Sequence, residues 1–285
     1  MKILMVATLG FLWGCNNDVD QLMLKGEPGE YKFTNAELSN RFVDESLVHR
    51  FQVTSNYQGS KAQLECVYLG DLGLISQDTI ILYLHGNAPN MDDYWQRAAD
   101  FANIGGQHRF GVMMFDYRGF GNSEGKTEHI KTMLADVDAC MLWLKEHGLT
   151  QDRLLLYGHS LGTMPAAEAN AFSDVMRTPW MVLEAPQTTD DVLLQDATGS
   201  LSLSATYVTD FGYDIPSALG EFQKHFLWIH GTADDVASYP NMLHVYEGYK
   251  NPLKDAVIVE GAGHEVVDEM GFEPWESKML ELLRK

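Results

Sequence analysis

LLLYGHSLGTM, residues 154–164, decides the fold. Four strand-forming residues run into a serine with glycine two positions before it and two after. An ordinary turn needs no such frame. A serine on a sharp strand-to-helix turn does, because a residue without Cβ lets neighbouring backbone pass closely. The pattern Gly158-His159-Ser160-Leu161-Gly162 sits between an apolar run at 153–157 and a helical pattern at 161–172. That is the setting in which G-x-S-x-G mounts a nucleophile. Pro165 falls near the helix start, where a missing N–H costs least.

Outward from this turn, apolar runs alternate with helical patterns. Strands are expected at 47–54, 62–69, 79–84, 111–116, 153–157, 180–184, 225–230 and 255–260. Those after residue 79 are almost continuously apolar, as parallel strands covered on both faces should be. Helices are expected at 91–104, capped by Asn90, at 127–147, at 161–172, at 239–249 and from Pro274 onward. The alternation predicts an α/β fold with a mostly parallel, doubly wound sheet. The first two strands have no helix between them and should form an antiparallel edge. Residues 187–221 break the rhythm and read as a short cap or as a long loop.

A serine hydroxyl needs a base within hydrogen-bond reach. EGAGH, 260–264, places His264 just after the last strand, with Gly261 and Gly263 allowing the loop to turn back. His85, His159 and His230 belong to strand-end turns and read as structural. A carboxylate must orient the imidazole. HGTADDV, 230–236, offers Asp234 and Asp235, and neighbouring side chains in an extended loop point different ways. Glu184, at the end of the sixth strand, is a less suitable acid. The tetrahedral oxyanion needs preorganised N–H donors. Leu161, next after the serine, supplies one; the turn after strand 79–84 supplies the other, with Asn87 preferred and Ala88 the alternative.

The chain has 285 residues, enough for one large α/β domain, and carries 40 acidic against 20 basic residues for a net charge of −20. That balance argues against a nucleic-acid partner, which demands basic patches. MKILMVATLGFLWGCNN at the N-terminus joins Lys2 to an apolar run too short to span a bilayer, and Gly14 suits cleavage. Residues 1–14 read as a signal peptide. LWGC resembles the lipobox of bacterial lipoproteins, although Trp13 departs from the small residues usual there. The resemblance implies acylation of Cys15 and a membrane tether facing the periplasm; Asn16 is not the aspartate of inner-membrane retention, so the outer membrane is preferred. The plainer reading is a secretory signal with Cys15 incidental. Residues 15–46 read as tether and lead-in. Cys66 and Cys140 read as buried small hydrophobes, with a disulfide between them possible in an oxidising compartment.

Four landmarks together, LYLHGNA (82–88), FDYRGFGNSEG (115–125), GHSLG (158–162) and HGTADDV with GAGH, make the chain from about residue 47 to 285 resemble an α/β-hydrolase. In that family the acid stands four residues after the His of HG-x-x-D, which selects Asp234 over Asp235. The HGN turn and the D-Y-R-G loop resemble a branch of membrane-associated serine hydrolases that includes esterases and protein depalmitoylases. The resemblance implies a serine hydrolase cleaving esters or thioesters of a small or acylated substrate through Ser160, His264 and Asp234, with no cofactor and no metal. A peptidase or amidase on the same fold, or a non-catalytic binding protein, are the alternatives. Asp116 and Arg118 read as support beneath the active-site loops.

Overall fold

The computed structural model describes residues 24–34, 41–189, 192 and 211–285. The expected signal peptide, Cys15 and most of the centre of 187–221 lie outside them. All eight expected strands form: β1 (Val48–Tyr57), β2 (Ser60–Leu69), β3 (Ile80–Leu84), β4 (Gly111–Phe115), β5 (Leu154–His159), β6 (Trp180–Glu184), β7 (His225–Gly231) and β8 (Lys254–Val259). They make one sheet in the order β1-β2-β4-β3-β5-β6-β7-β8. β1 and β2 pair antiparallel over ten residues, and β2 meets β4 antiparallel. The remaining pairings are parallel.

The helices are α1 (Trp95–Asn103), α2 (Ile130–Glu146), α3 (Thr163–Phe172), α4 (Ile215–Glu221), α5 (Tyr239–Gly248), α6 (Val266–Met270) and α7 (Phe272–Leu282). They cover both faces. Ile80, Leu82 and Leu84 of β3 join one core with Met133 and Val137 of α2 and Met164 of α3. Ile81 and Tyr83, pointing the other way, join a second core with Ala98 and Phe101 of α1 and Trp275 of α7. Alternate residues of one strand thus serve two cores, which explains the unbroken apolar runs.

Two helices have no counterpart in the sequence reading. α4 falls inside the stretch taken as cap or loop. Asp214 caps it by accepting from the Ser217 N–H at 3.0 Å, and Ile215, Ala218 and Leu219 are buried in the first core. This end of 187–221 is a packed element of one helical layer. α6 follows the loop that carries His264. Cys66 and Cys140 are both buried and unbridged. Burial, then the neighbouring Cys66 thiol, pushes the Cys140 thiol up from its ordinary pKa.

The chain leaves β3 for β4 on one side, then crosses to β5 on the other. Such a reversal opens a crevice at the carboxyl ends of the two strands. The turns after β3 and β5 meet there.

Candidate active site

Ser160 follows β5 directly, with φ at +49°. For a residue with a Cβ this is strained backbone, costing on the order of 1–3 kcal/mol, and the surroundings must hold it. They do so through close packing. A Cβ on Gly162 would lie 1.9 Å from the Leu84 carbonyl oxygen, and one on Gly158 would lie 2.5 Å from the Gly162 oxygen. Nothing but glycine lets the serine turn press against the turn after β3. Thr163 Oγ1 donates to the Ser160 carbonyl at 2.6 Å and closes the turn from inside.

His264 arrives from the loop after β8. Its Nε2 lies 2.8 Å from Ser160 Oγ. Its Nδ1 lies 2.9 Å from Asp234 Oδ2 and 3.1 Å from Oδ1. With Nδ1–H donating to the carboxylate, Nε2 is left as the acceptor that faces the serine hydroxyl. The three residues named in the sequence stand in one hydrogen-bonded row. Asp235 is exposed to solvent, while Asp234 is buried.

Asp234 is held from below as well. Its Oδ1 accepts the N–H groups of Val236 and Ala237 at 2.9 and 2.8 Å. His230 Nε2 lies 3.4 Å from Oδ2 and 2.9 Å from the Ala237 carbonyl. Trp228 Nε1–H, a donor only, points at His230 Nδ1 at 3.3 Å. That fixes the proton on Nε2, so His230 presents an N–H to the Ala237 carbonyl and to the acid. Burial pushes the Asp234 carboxyl up, but hydrogen bonds from His230 and His264 outweigh it and hold the group well below the usual carboxylate range. Burial pulls the His264 imidazole down, and its hydrogen bond and attraction to Asp234 more than reverse this, leaving the pKa above the ordinary imidazole value.

The other strand-end residues do different work. Glu184 is fully buried and accepts from Arg97 Nη1 and the Tyr157 hydroxyl, each at 2.6 Å. Arg97 also reaches Asp268 at 2.6 Å. This charged cluster ties α1, β5, β6 and α6 together beneath the site. Burial opposes ionisation of Glu184, but Arg97 first among its neighbours brings its pKa below the usual value. His159 is buried, its ring centroid 5.5 Å from that of His264, and burial lowers its pKa. His85 lies with Nδ1 2.8 Å from the Gly86 carbonyl and Nε2 3.2 Å from Asp116. Arg118 pairs with Asp136 at 2.7 Å inside the protein. Asp116 and Arg118 are both buried supports.

The Leu161 N–H follows the serine, in the turn that opens into α3. The turn after β3 is equally close: a Cβ on Gly86 would lie 3.3 Å from Ser160 Cβ. Of the two residues considered for the second donor, Ala88 has its N–H bonded to the Gly86 carbonyl at 3.1 Å. This favours Asn87. A cavity of about 390 Å³ adjoins the turn, lined among others by Asn87, Ala88, Tyr94, Arg97, Glu265 and Asp268. Among the described residues, no group of three or more His, Cys, Asp or Glu could hold a metal ion.

Residues 76–198 match the family described as Hydrolase_4, Serine aminopeptidase, S33. Alpha/beta hydrolase domain-containing protein 17B of Xenopus laevis is 29% identical over 193 residues, 67% of this chain and 62% of that protein. The Homo sapiens protein of the same name matches to the same extent. The chain thus spans less than two thirds of the length of these relatives. In structure, an esterase of Pyrococcus furiosus superposes with a TM-score of 0.71 at 17% identity, covering 92% of this chain and 97% of the esterase. Est1E of Butyrivibrio proteoclasticus, with ferulic acid bound, superposes with a TM-score of 0.62 at 19% identity, covering 81% and 99%. The fold is the α/β-hydrolase fold.

Proposed function

We propose that the protein is a serine hydrolase that cleaves carboxylic esters or thioesters through an acyl-enzyme. One observation carries this: the His264 imidazole bridges the Ser160 hydroxyl at 2.8 Å and the Asp234 carboxylate at 2.9 Å. Ser160 Oγ attacks the carbonyl carbon while His264 Nε2 takes its proton. Asp234 keeps the proton on Nδ1 and stabilises the imidazolium that forms. The Leu161 and Asn87 N–H groups receive the oxyanion, each worth about 3 kcal/mol. His264 then protonates the leaving alcohol or thiol, and the acyl group stays on Ser160. A water molecule, deprotonated by His264, releases the acid and restores the serine.

The esterases of like fold support hydrolase chemistry, as does the match of residues 76–198. The matched family's description as a serine aminopeptidase supports a second reading, peptide or amide cleavage by the same residues. A purely binding role is disfavoured by a hydrogen-bonded row that binding alone would not need.

The N-terminal reading belongs to the same proposal. Cleavage before Cys15 and its acylation would export the enzyme and hold it on the periplasmic face of a membrane, the outer one preferred. Lys25 stands ten positions after Cys15, at most about 35 Å of extended chain. Lys25 bonds directly to Asn87. An anchored enzyme would therefore work close to the bilayer surface. Mass spectrometry of the mature N-terminus decides the anchor: a diacylglyceryl cysteine is expected, and an unmodified Cys15 rejects it.

A fluorophosphonate probe tests the serine. Wild type should label and Ser160→Ala should not. A series of p-nitrophenyl esters, acyl thioesters and aminoacyl anilides then sorts the substrate class, with esters and thioesters expected to turn over faster than anilides. Folded wild type that neither labels nor turns over any of these would refute the proposal.

A further inference from the structure

The stretch 24–33, which the sequence offers as the end of a tether, is bonded along its length to the turn that carries Asn87. The Lys25 N–H donates to Asn87 Oδ1 at 2.7 Å. The Glu27 N–H donates to the Pro89 carbonyl at 2.9 Å. The Lys32 and Phe33 N–H groups both donate to Asp92 Oδ1, at 3.0 and 2.7 Å. The two segments run in the same direction, 25 on 87, 27 on 89, 32 and 33 on 92.

A third segment grips the first two. Asn122 Nδ2 donates to the Gly29 carbonyl at 2.7 Å, and its backbone N–H to the Tyr31 hydroxyl at 2.9 Å. Tyr31 donates in turn to Asp116 Oδ2 at 2.5 Å. Asp116 Oδ1 accepts the Met91 N–H at 2.7 Å, just beyond the turn. The Gly121 N–H reaches the Pro89 carbonyl at 3.0 Å, the same oxygen that Glu27 uses. Gly121 has φ at +50°, and a Cβ there would lie 2.1 Å from Asp116 Oδ2 and 2.5 Å from the Tyr31 hydroxyl. Only glycine leaves room for the tyrosine to dock.

We propose that residues 24–33 are a strap that positions the oxyanion turn, and that the loop Asp116–Ser123 is its receptor. The proposal rests on the reading of Asn87 as the second oxyanion donor. The physical need is clear. A 3₁₀ helix begins at Met91, capped by Asn90, and α-helix follows at Trp95, so residues 86–89 lie in the turn ahead of the helical ladder. An oxyanion donor misplaced by about 1 Å can cost about 100-fold in rate. The strap adds hydrogen bonds to this turn from outside, and its receptor ties the strap back to the end of β4. Lys25, Glu27 and Tyr31 touch no reacting atom; they are positioning residues.

The test uses the full chain with Lys25→Pro, which removes the N–H, with Tyr31→Phe, which removes the hydroxyl, and with Lys25→Ala, which keeps the N–H. Each variant is compared by thermal unfolding, by kcat and KM on a p-nitrophenyl ester, by affinity for phenylboronic acid as a tetrahedral mimic, and by amide hydrogen exchange over residues 86–92. Lys25→Pro and Tyr31→Phe should lower kcat about 10- to 100-fold with KM little changed. Boronate affinity should fall in step, and exchange over 86–92 should quicken. Lys25→Ala should behave as wild type, and the pH at which activity is lost in acid should not move. Unchanged exchange over 86–92 in the folded variants would overturn the strap while leaving the serine mechanism standing. Faster exchange with unchanged kcat would overturn Asn87 as the oxyanion donor, and the proposal with it.

Discussion

Replacing Asp234 by Asn removes one charge and almost no volume, so its effect can be worked from the hydrogen bonds. Oδ1 accepts two backbone N–H groups, from Val236 and Ala237. The amide oxygen of Asn must take that place, because an NH₂ there would face two donors. The NH₂ then replaces Oδ2, facing His264 Nδ1 and the His230 N–H. His264 can only accept from it, so its proton moves to Nε2 and points at the serine. The base is lost by tautomer alone. The imidazolium formed during attack also loses a negative charge 2.9 Å away, about 6 kcal/mol at an effective dielectric near 20. A loss of about 10⁴-fold in kcat, about 5 kcal/mol, is expected. The assay is turnover of p-nitrophenyl acetate, with thermal unfolding to show that the variant is folded. Asp235→Asn, at an exposed position, should stay within about twofold. A larger loss in Asp235→Asn than in Asp234→Asn, or more than about a tenth of kcat left in the latter, would refute this reasoning.

Because Asp234 lifts the His264 pKa above the ordinary imidazole value against the pull of burial, and the base must be neutral, kcat/KM should rise with pH through an apparent pKa above that of a free imidazole; a pH–rate profile with its midpoint below the free value would contradict it. The protonated pair stabilises the fold below the unfolded-state imidazole pKa and ceases to do so as pH rises through the folded value, so the melting deficit of His264→Gln should shrink from pH 6 to pH 9. Glu168 has its pKa raised to about 7, by burial first and then by Asp214. Its ionisation therefore costs stability as pH climbs from the unfolded carboxyl value toward 7, and Glu168→Gln should stabilise the fold at pH 8 but not at pH 4, by up to roughly 3 kcal/mol before allowance for its partial exposure, read as a rise in Tm. Gly162→Ala, whose Cβ would lie 1.9 Å from the Leu84 oxygen, should abolish activity and cost on the order of 3 kcal/mol or more in a urea melt, whereas Ala at Gly59, with nothing within 4 Å, should cost only the strain of its positive φ.

Much of the fold was legible along the chain. The eight strands could be found because each central strand packs against helices on both faces and so shows an unbroken apolar run. The edge pair could be found because no helix separates 47–54 from 62–69. α4 and α6 could not: at seven and five residues they are too short for a 3.6-residue period to stand out. α4 exists because Asp214 caps it and its apolar residues find a core. The strap at 24–33 carries no local signal at all, since its hydrogen bonds go to residues about sixty and ninety positions away.

From the residues alone came the layered α/β architecture, the serine on its glycine-framed turn and the histidine and aspartates at later strand ends. Those follow from short-range rules: burial periodicity, the steric freedom of glycine and the order of motifs along the chain. Tertiary structure alone decided which side chains meet. It brought Ser160 and His264, 104 residues apart, to hydrogen-bond distance. It turned Asp234 inward and Asp235 out, made His230 rather than His85 or His159 the partner of the acid, and set residues 24–33 against the turn at Asn87. The physical reason is that local patterns report how each segment is covered, whereas the convergence of side chains is set by how strands of distant sequence pack beside one another.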